Sequence, residues 1–180
     1  DHTTEAVSEV ERALDGAIDE LIVTPNCTER REVETHAALW RRVKSTHPSH
    51  VTFYGHAKGV SPRRQGNDAV KMWTEVLYAA NLDYWPVVEA VLDTHPVAGS
   101  FKKVGQGWKV QEWADARLSQ WHYSGSFYWL RHDALFSHPK WADIPQFWSG
   151  VEPWPSVLFP TQKAGTVFWE SGQINLYDPA

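Results

Sequence analysis

The apolar positions of this chain change their period several times, and each change predicts an element. Val7, Val10 and Leu14 recur at helical spacing and Gly16 stands where a C-terminal cap belongs, which predicts a short surface helix over 4–15. The β-branched run at 21–24, closed by Pro25 and Asn26, predicts a strand and a turn. A second helix over 31–45 puts Val33, Ala37, Trp40 and Val43 on one face and Arg41, Arg42 and Lys44 on the wet one. The next strand, 51–54, runs into a turn that carries His56 and Lys58 between Gly55 and Gly59. Asn67 is a good N-cap for a helix with Val70, Trp73, Leu77 and Ala80 turned inward, and Pro86 suits the first turn of another helix that runs to about Leu92. A strand over 97–101 follows, and the polar stretch 102–120 reads as a hairpin or a loop. An aromatic strand over 121–129 leads to one short helix over 131–136. From about residue 137 the chain is rich in Trp and Pro, and only 157–159 and 166–169 look like strands. Helices that alternate with strands imply an α/β fold: one domain over 1–180 with a mostly parallel sheet flanked by helices.

Composition narrows the class. A chain of 180 residues with 42% apolar and 22% charged residues is a globular domain with room for one sizeable core. The 17 Lys and Arg against 22 Asp and Glu give a net charge of −5, and no basic stripe is visible, so a nucleic-acid partner is not expected. No run reaches the roughly 18 apolar residues of a membrane helix, and the acidic first residues do not resemble a secretory signal, so the expected location is cytoplasmic. The single Cys27 rules out an internal disulfide. Eleven tryptophans are the oddity of the composition. Trp40 and Trp73 fit helical stripes and are expected in the core, whereas Trp148 and Trp154 cluster in a way that suits a cleft, where an indole N–H finds a partner.

The chemistry concentrates in two segments. In α/β sheets ligands gather beyond the carboxyl ends of strands, which is where His56 and Lys58 fall. Lys58 supplies a compact cation for a diphosphate, His56 a hydrogen bond to the same group, and the flanking glycines let a ligand come close to the backbone. A strand end with one exposed lysine and one packed histidine fits the same spacing. Gly105-Gln106-Gly107 is no dinucleotide fingerprint, because neither a third glycine nor a suitable helix follows. Glu152, in a rigid Pro- and Trp-rich loop, is the candidate general base, with Asp93 and Asp133 weaker ones that suit helix ends. None of the nine histidines shows zinc-site spacing, so no metal ligand is assigned.

Two motifs, FYGHAKGVS at residues 53–61 and HYSGSFYWLR at 122–131, follow one another in that order. Together they resemble a group of bacterial glycosyltransferase-like proteins of the GT-A type, in which a Y-x-H-x-K-G turn precedes an H-[FY]-S-G-N-F-W-W strand. The resemblance covers roughly 21–159. It implies a nucleotide-binding, Rossmann-like α/β fold and transfer of a sugar from a nucleoside diphosphate donor to a glycan or small-molecule acceptor. On that reading His56, Lys58 and Gly59 match the first motif, and His122, Ser124, Gly125, Phe127, Tyr128 and Trp129 match the second, with Trp154 added on the sugar side. Ser126 stands where the pattern has Asn. The Asp-x-Asp that commonly holds Mn2+ or Mg2+ in such enzymes does not occur, so the implied cation has no assigned ligands. The chain begins at Asp1 without a preceding first strand, which suggests a trimmed or partial fold. Two other functions fit the same residues: a noncatalytic carbohydrate-binding domain that uses clustered Trp side chains, and a hydrolase of phosphorylated metabolites built on the His/Lys turn.

Overall fold

The structure is a computed structural model that describes residues 2–25, 27–56, 68–104 and 121–170. Lys58, Gly59, Asn67 and the polar stretch from 105 onward lie outside the described residues, and so do the expectations placed on them.

Six α-helices and five strands are described: α1 (His2–Ala13), α2 (Val33–Val43), β1 (Val51–Tyr54), α3 (Asp68–Tyr78), α4 (Trp85–Leu92), β2 (Val97–Val104), β3 (Trp121–Tyr123), β4 (Tyr128–Arg131), α5 (His132–Ser137), α6 (Trp154–Leu158) and β5 (Ala164–Glu170). Helix α2 forms because Val33, His36, Ala37 and Trp40 make one buried stripe. In α3 the same role falls to Val70, Trp73 and Leu77, and a proline in the first turn starts α4. A π-helical turn, Ala79–Asp83, joins α3 to α4, and its buried Asn81 Nδ2 donates to Leu77 O and to Ser100 Oγ, both at 2.7 Å.

The five strands form one sheet. β1 pairs antiparallel with β4, β4 and β3 both pair antiparallel with β2, and β5 pairs parallel with β2. The expected α/β class stands, but the expected mostly parallel sheet does not: three of the four strand pairings are antiparallel. The physical reason is where the aromatic strand inserts. β1 and β2 run the same way with a helical crossover between them, as a βαβ reading demands, yet β4 slots antiparallel between the two. Two expected strands are also absent. Residues 21–24 follow an irregular path with Leu21 and Val23 exposed, and 157–159 are mostly helical, because Pro155 starts α6.

Each face of the sheet carries its own core. On one face α2, α5 and α6 cover Tyr54, Trp121, Tyr123, Tyr128 and Leu130 with Val33, Trp40, Leu135, Trp154 and Leu158. On the other, Trp73 and Leu77 of α3 pack on Phe101 and Phe127, and Val88 and Leu92 of α4 pack on Ala98. Three polar side chains fasten the segment that leads into β5. Trp121 Nε1 donates to Phe159 O at 2.9 Å, Lys102 Nζ to Ala164 O at 2.8 Å and Tyr123 Oη to Gly165 O at 2.7 Å.

The aromatic strand is interrupted. Its two halves follow one edge of β2, since Lys102 pairs with Tyr123 on one side and Glu170 on the other, and Gly99 with Tyr128 and Thr166. Between Tyr123 and Tyr128 the chain advances five residues while β2 advances three, from Lys102 to Gly99, so two residues are extra. They are absorbed by a single 3-10 turn, Ser124–Ser126. Gly125 sits at φ 78° and Ser126 at φ 59°, and Phe101 on the facing strand at φ 53°. Gly99 has no room for a side chain, because a Cβ there would stand 2.8 Å from Phe127 O and from the Tyr123 ring. The obstacle is partly backbone and cannot swing away. Gly99→Ala is therefore expected to cost about 1–3 kcal/mol, read as a lower urea midpoint with an unchanged slope.

Candidate functional site

β1, β2 and β5 leave their carboxyl ends at the same end of the sheet, and β3 begins there. His56 follows β1 at this end. The pairing of β1 with β4 sets the two sequence motifs side by side, with Tyr54 opposite Tyr128. Just beyond this pair, the His56 ring lies 6.0 Å from that of Phe127 and stacks at 6.3 Å on Tyr54.

Charged and polar groups gather around this end. His56 Nδ1 is 3.8 Å from a carboxylate oxygen of Glu32, the residue that precedes α2, and both side chains are about three-quarters shielded. His122 is the register partner of Lys103 on β2. Burial, and after it the charge of Lys103, lower the pKa of His122 to about 3, so the ring is neutral at pH 7. Burial also lowers the Lys103 ammonium, and the carboxylate of Glu152 works in the opposite direction. Glu152 and Glu32 both act on Tyr54, whose phenol is raised by burial first and by the two carboxylates after it.

The small residues of the second motif form the turn between β3 and β4. Ser124 and Ser126 are buried, and neither Oγ finds a hydrogen-bond partner among the described residues. Leaving a buried hydroxyl unpaired costs about 1–3 kcal/mol, and such groups in a native fold call for a ligand or another explanation.

Tyr128 and Trp129 project to opposite faces of the sheet. Tyr128 Oη donates to His36 Nε2 at 2.8 Å within the α2 layer, and Trp129 Nε1 donates to Asn81 O at 2.9 Å within the α3 layer. The two rings therefore do not line one cleft. Trp154 is fully buried, 5.5 Å from the Trp40 ring and 4.7 Å edge-on to His36, so it presents no open face for stacking. Trp40 and Trp73 are core residues, as their stripes suggest. Trp148 is 56% exposed, with the Arg31 guanidinium 5.1 Å over its ring. Asp93 is the C-cap of α4 and Asp133 lies in the first turn of α5, where Arg131 hydrogen-bonds its carboxylate and holds it below its usual pKa.

Sequence reasoning missed Glu32, His36 and Lys103, and gave no role to Tyr54, the tyrosine of the first motif. Tyr54 carried a usable signal, since it alternates with Thr52 and directly precedes the glycine of the first motif. The other three enter only through pairings distant in sequence. Two cavities of about 450 Å³ lie at the opposite end of the sheet, one bordered by Trp85, Glu89 and Arg131, the other by His138 and Lys163. None of the sequence-predicted binding residues or Glu152 lines either. Among the described residues no three or more His, Cys, Asp or Glu come together to hold a metal ion, and no helix is long and apolar enough to cross a membrane.

Comparison with protein-family models, with curated proteins and with solved structures finds no match to this chain.

Two buried imidazoles make stability depend on acid. His36, fully buried, is lowered to about 3 by burial and then by the charge of His56, and His122 reaches the same range. Both rings stay neutral in the folded chain but bind a proton in the unfolded chain once pH falls below the ordinary value of 6.5. The unfolded state then holds more protons, so stability is lost as pH drops from 6.5 toward 3. The expected slope is up to about 1.4 kcal/mol per pH unit for each histidine. Urea unfolding at pH 7, 6 and 5 reads this slope, and His122→Asn should reduce it.

Proposed function

We propose that the chain is a glycosyltransferase-like protein that binds a nucleoside diphosphate sugar at the carboxyl end of β1 and β2 and passes the sugar to an acceptor hydroxyl. The observation that supports this reading is the pairing of β1 with β4, which sets the two segments of the resemblance in contact. The reading does not draw on sheet type, since the mixed sheet departs from a mostly parallel GT-A arrangement.

Lys58 and His56 take the diphosphate, and Gly59 and Gly125 let it approach the backbone. The unpaired hydroxyls of Ser124 and Ser126 donate to the ligand, and neutral His122 beside Lys103 completes the polar wall. Glu152 accepts the proton of the acceptor hydroxyl as that oxygen bonds to the anomeric carbon. The bond from that carbon to the diphosphate oxygen breaks at the same time, and the leaving diphosphate keeps the electron pair next to Lys58 and His56. No step is routed through a metal; among the described residues no three or more His, Cys, Asp or Glu come together.

The competing carbohydrate-binding domain needs open indole faces. Four of the tryptophans, Trp40, Trp73, Trp121 and Trp154, are buried instead. Thermal shift with a panel of nucleoside diphosphates and their sugars, with and without manganese, tests the proposal. A nucleotide-dependent rise in Tm is expected, and Lys58→Ala should abolish it. Glu152→Gln should leave the rise intact and slow sugar transfer by about 10²- to 10⁴-fold. A shift with glycans and none with any nucleotide would overturn the transferase reading in favour of the binding domain.

A further inference from the structure

The end of the sheet away from both motifs holds groups that the transferase reading does not use. Arg131, the last residue of β4, is a wall shared by the two cavities there, and the two differ in charge. One collects the carboxylates of Glu89, Asp93 and Asp133. The other is bordered by Arg131, His138 and Lys163, and among the described residues no aspartate or glutamate borders it. Its place follows from the topology. Val97 of β2 and Ala164 of β5 are register partners, so the segments that lead into these two strands arrive side by side. Thr94 and Pro96 border the cavity from one of them, Lys163 from the other, and Ala134 and Ser137 of α5 close it from a third side.

The donors around this cavity are unevenly committed. A guanidinium carries five N–H groups. Nε and Nη2 of Arg131 donate to the Asp133 carboxylate, which balances its charge, and Nη1 donates to Leu92 O at 3.1 Å, so two N–H groups are left. Lys163 is exposed and forms no ion pair with a described residue, which makes it the uncompensated charge of the cavity. The Lys140 N–H donates to His138 Nδ1 at 3.1 Å, so the neutral ring carries its hydrogen on Nε2. The hydroxyls of Thr94 and Ser137 give their hydrogens to Val91 O at 3.2 Å and Ala134 O at 3.1 Å, and contact with a ligand falls to the nitrogen groups. Those groups call for an acceptor that bears negative charge. The remaining lining is apolar: Pro96, Ala134, Pro139 and the buried Phe159, whose ring meets that of His138 edge-on at 6.0 Å. A bare inorganic anion would leave this surface against water, whereas an anion on a compact apolar body covers it. The cavity of about 450 Å³ lies within the roughly 300–1,000 Å³ of small-molecule sites. We propose that it binds a small organic anion, a carboxylate on a compact apolar body, with Lys163 as the main charge partner. The site stands apart from the transferase reading, and its occupant would join the entries of β2 and β5 to α5.

The test follows the whole chain at pH 7 by NMR titration. Benzoate is the probe; benzyl alcohol supplies nearly the same body without the charge, and inorganic phosphate the charge without the body. Benzoate is expected to bind with a Kd of about 1 mM or below and to shift the His138 ring signals and the Ser137 and Lys163 amides, while the Trp85 indole in the acidic cavity stays unmoved. Benzyl alcohol and phosphate should each bind at least roughly 3-fold more weakly. Lys163→Met keeps the apolar stem and removes the ammonium. It should leave the unliganded Tm unchanged, because the side chain is exposed, and weaken benzoate by roughly 3- to 10-fold. Lys163→Glu should remove binding. Equal binding of benzyl alcohol would overturn the charge assignment, and equal binding of phosphate the organic class of the ligand. The site itself falls if benzoate gives no saturable shift, if it moves the Trp85 indole as much as His138, or if neither Lys163 variant weakens it.

Discussion

The strand made of β3 and β4 has to run the length of β2 and reach β1 as well, although it has two residues more than β2 can pair. The surplus is forced out of the ladder at Ser124–Ser126, and the backbone takes left-handed angles at Gly125, Ser126 and the facing Phe101. For the two residues with a Cβ this costs on the order of 1 kcal/mol or more each. The layer of α3 and the π-turn hold the distortion in place. Phe101 packs on Trp73 at 4.6 Å, Phe127 on Tyr78 at 4.9 Å, and Asn81 grips Ser100. Packing on one face thus fixes a turn that carries the buried hydroxyls of Ser124 and Ser126.

The electrostatics of that site follow from burial more than from charge count. Burial keeps His122 neutral and lowers the Lys103 ammonium, and His56 faces Glu32. Two carboxylates, Glu32 and Glu152, remain on the α2 side.

Much of the fold was legible in local pattern. The stripes of α2 and α3, the proline start of α4 and the apolar runs of β1 and β2 all depend on neighbours a few residues away. Strand order depends on partners far along the chain, and there the reading failed. Alternating helices and strands correctly imply that β1, β2 and β5 share a direction, but nothing local tells that β4 enters between β1 and β2. The β-branched run 21–24 has strand composition and no strand to pair with among the described residues. The site was legible to the same extent. Glycines, serines and His56 announce themselves by spacing, whereas Lys103 joins His122 only through register, and Glu32 joins His56 only through the docking of α2. Trp154 was visible as a cleft candidate, but its burial against Trp40 depends on α6 closing over the sheet.

The parallel pairing of β5 with β2 has a consequence for biosynthesis. β2 leaves the ribosome some sixty residues before the strand that completes it, and the anchors on Phe159, Ala164 and Gly165 are made late for the same reason. Until then one flank of the innermost strand presents unsatisfied amides and carbonyls to any extended segment nearby. A nascent chain in this interval therefore exposes a strand edge of the kind that favours aggregation.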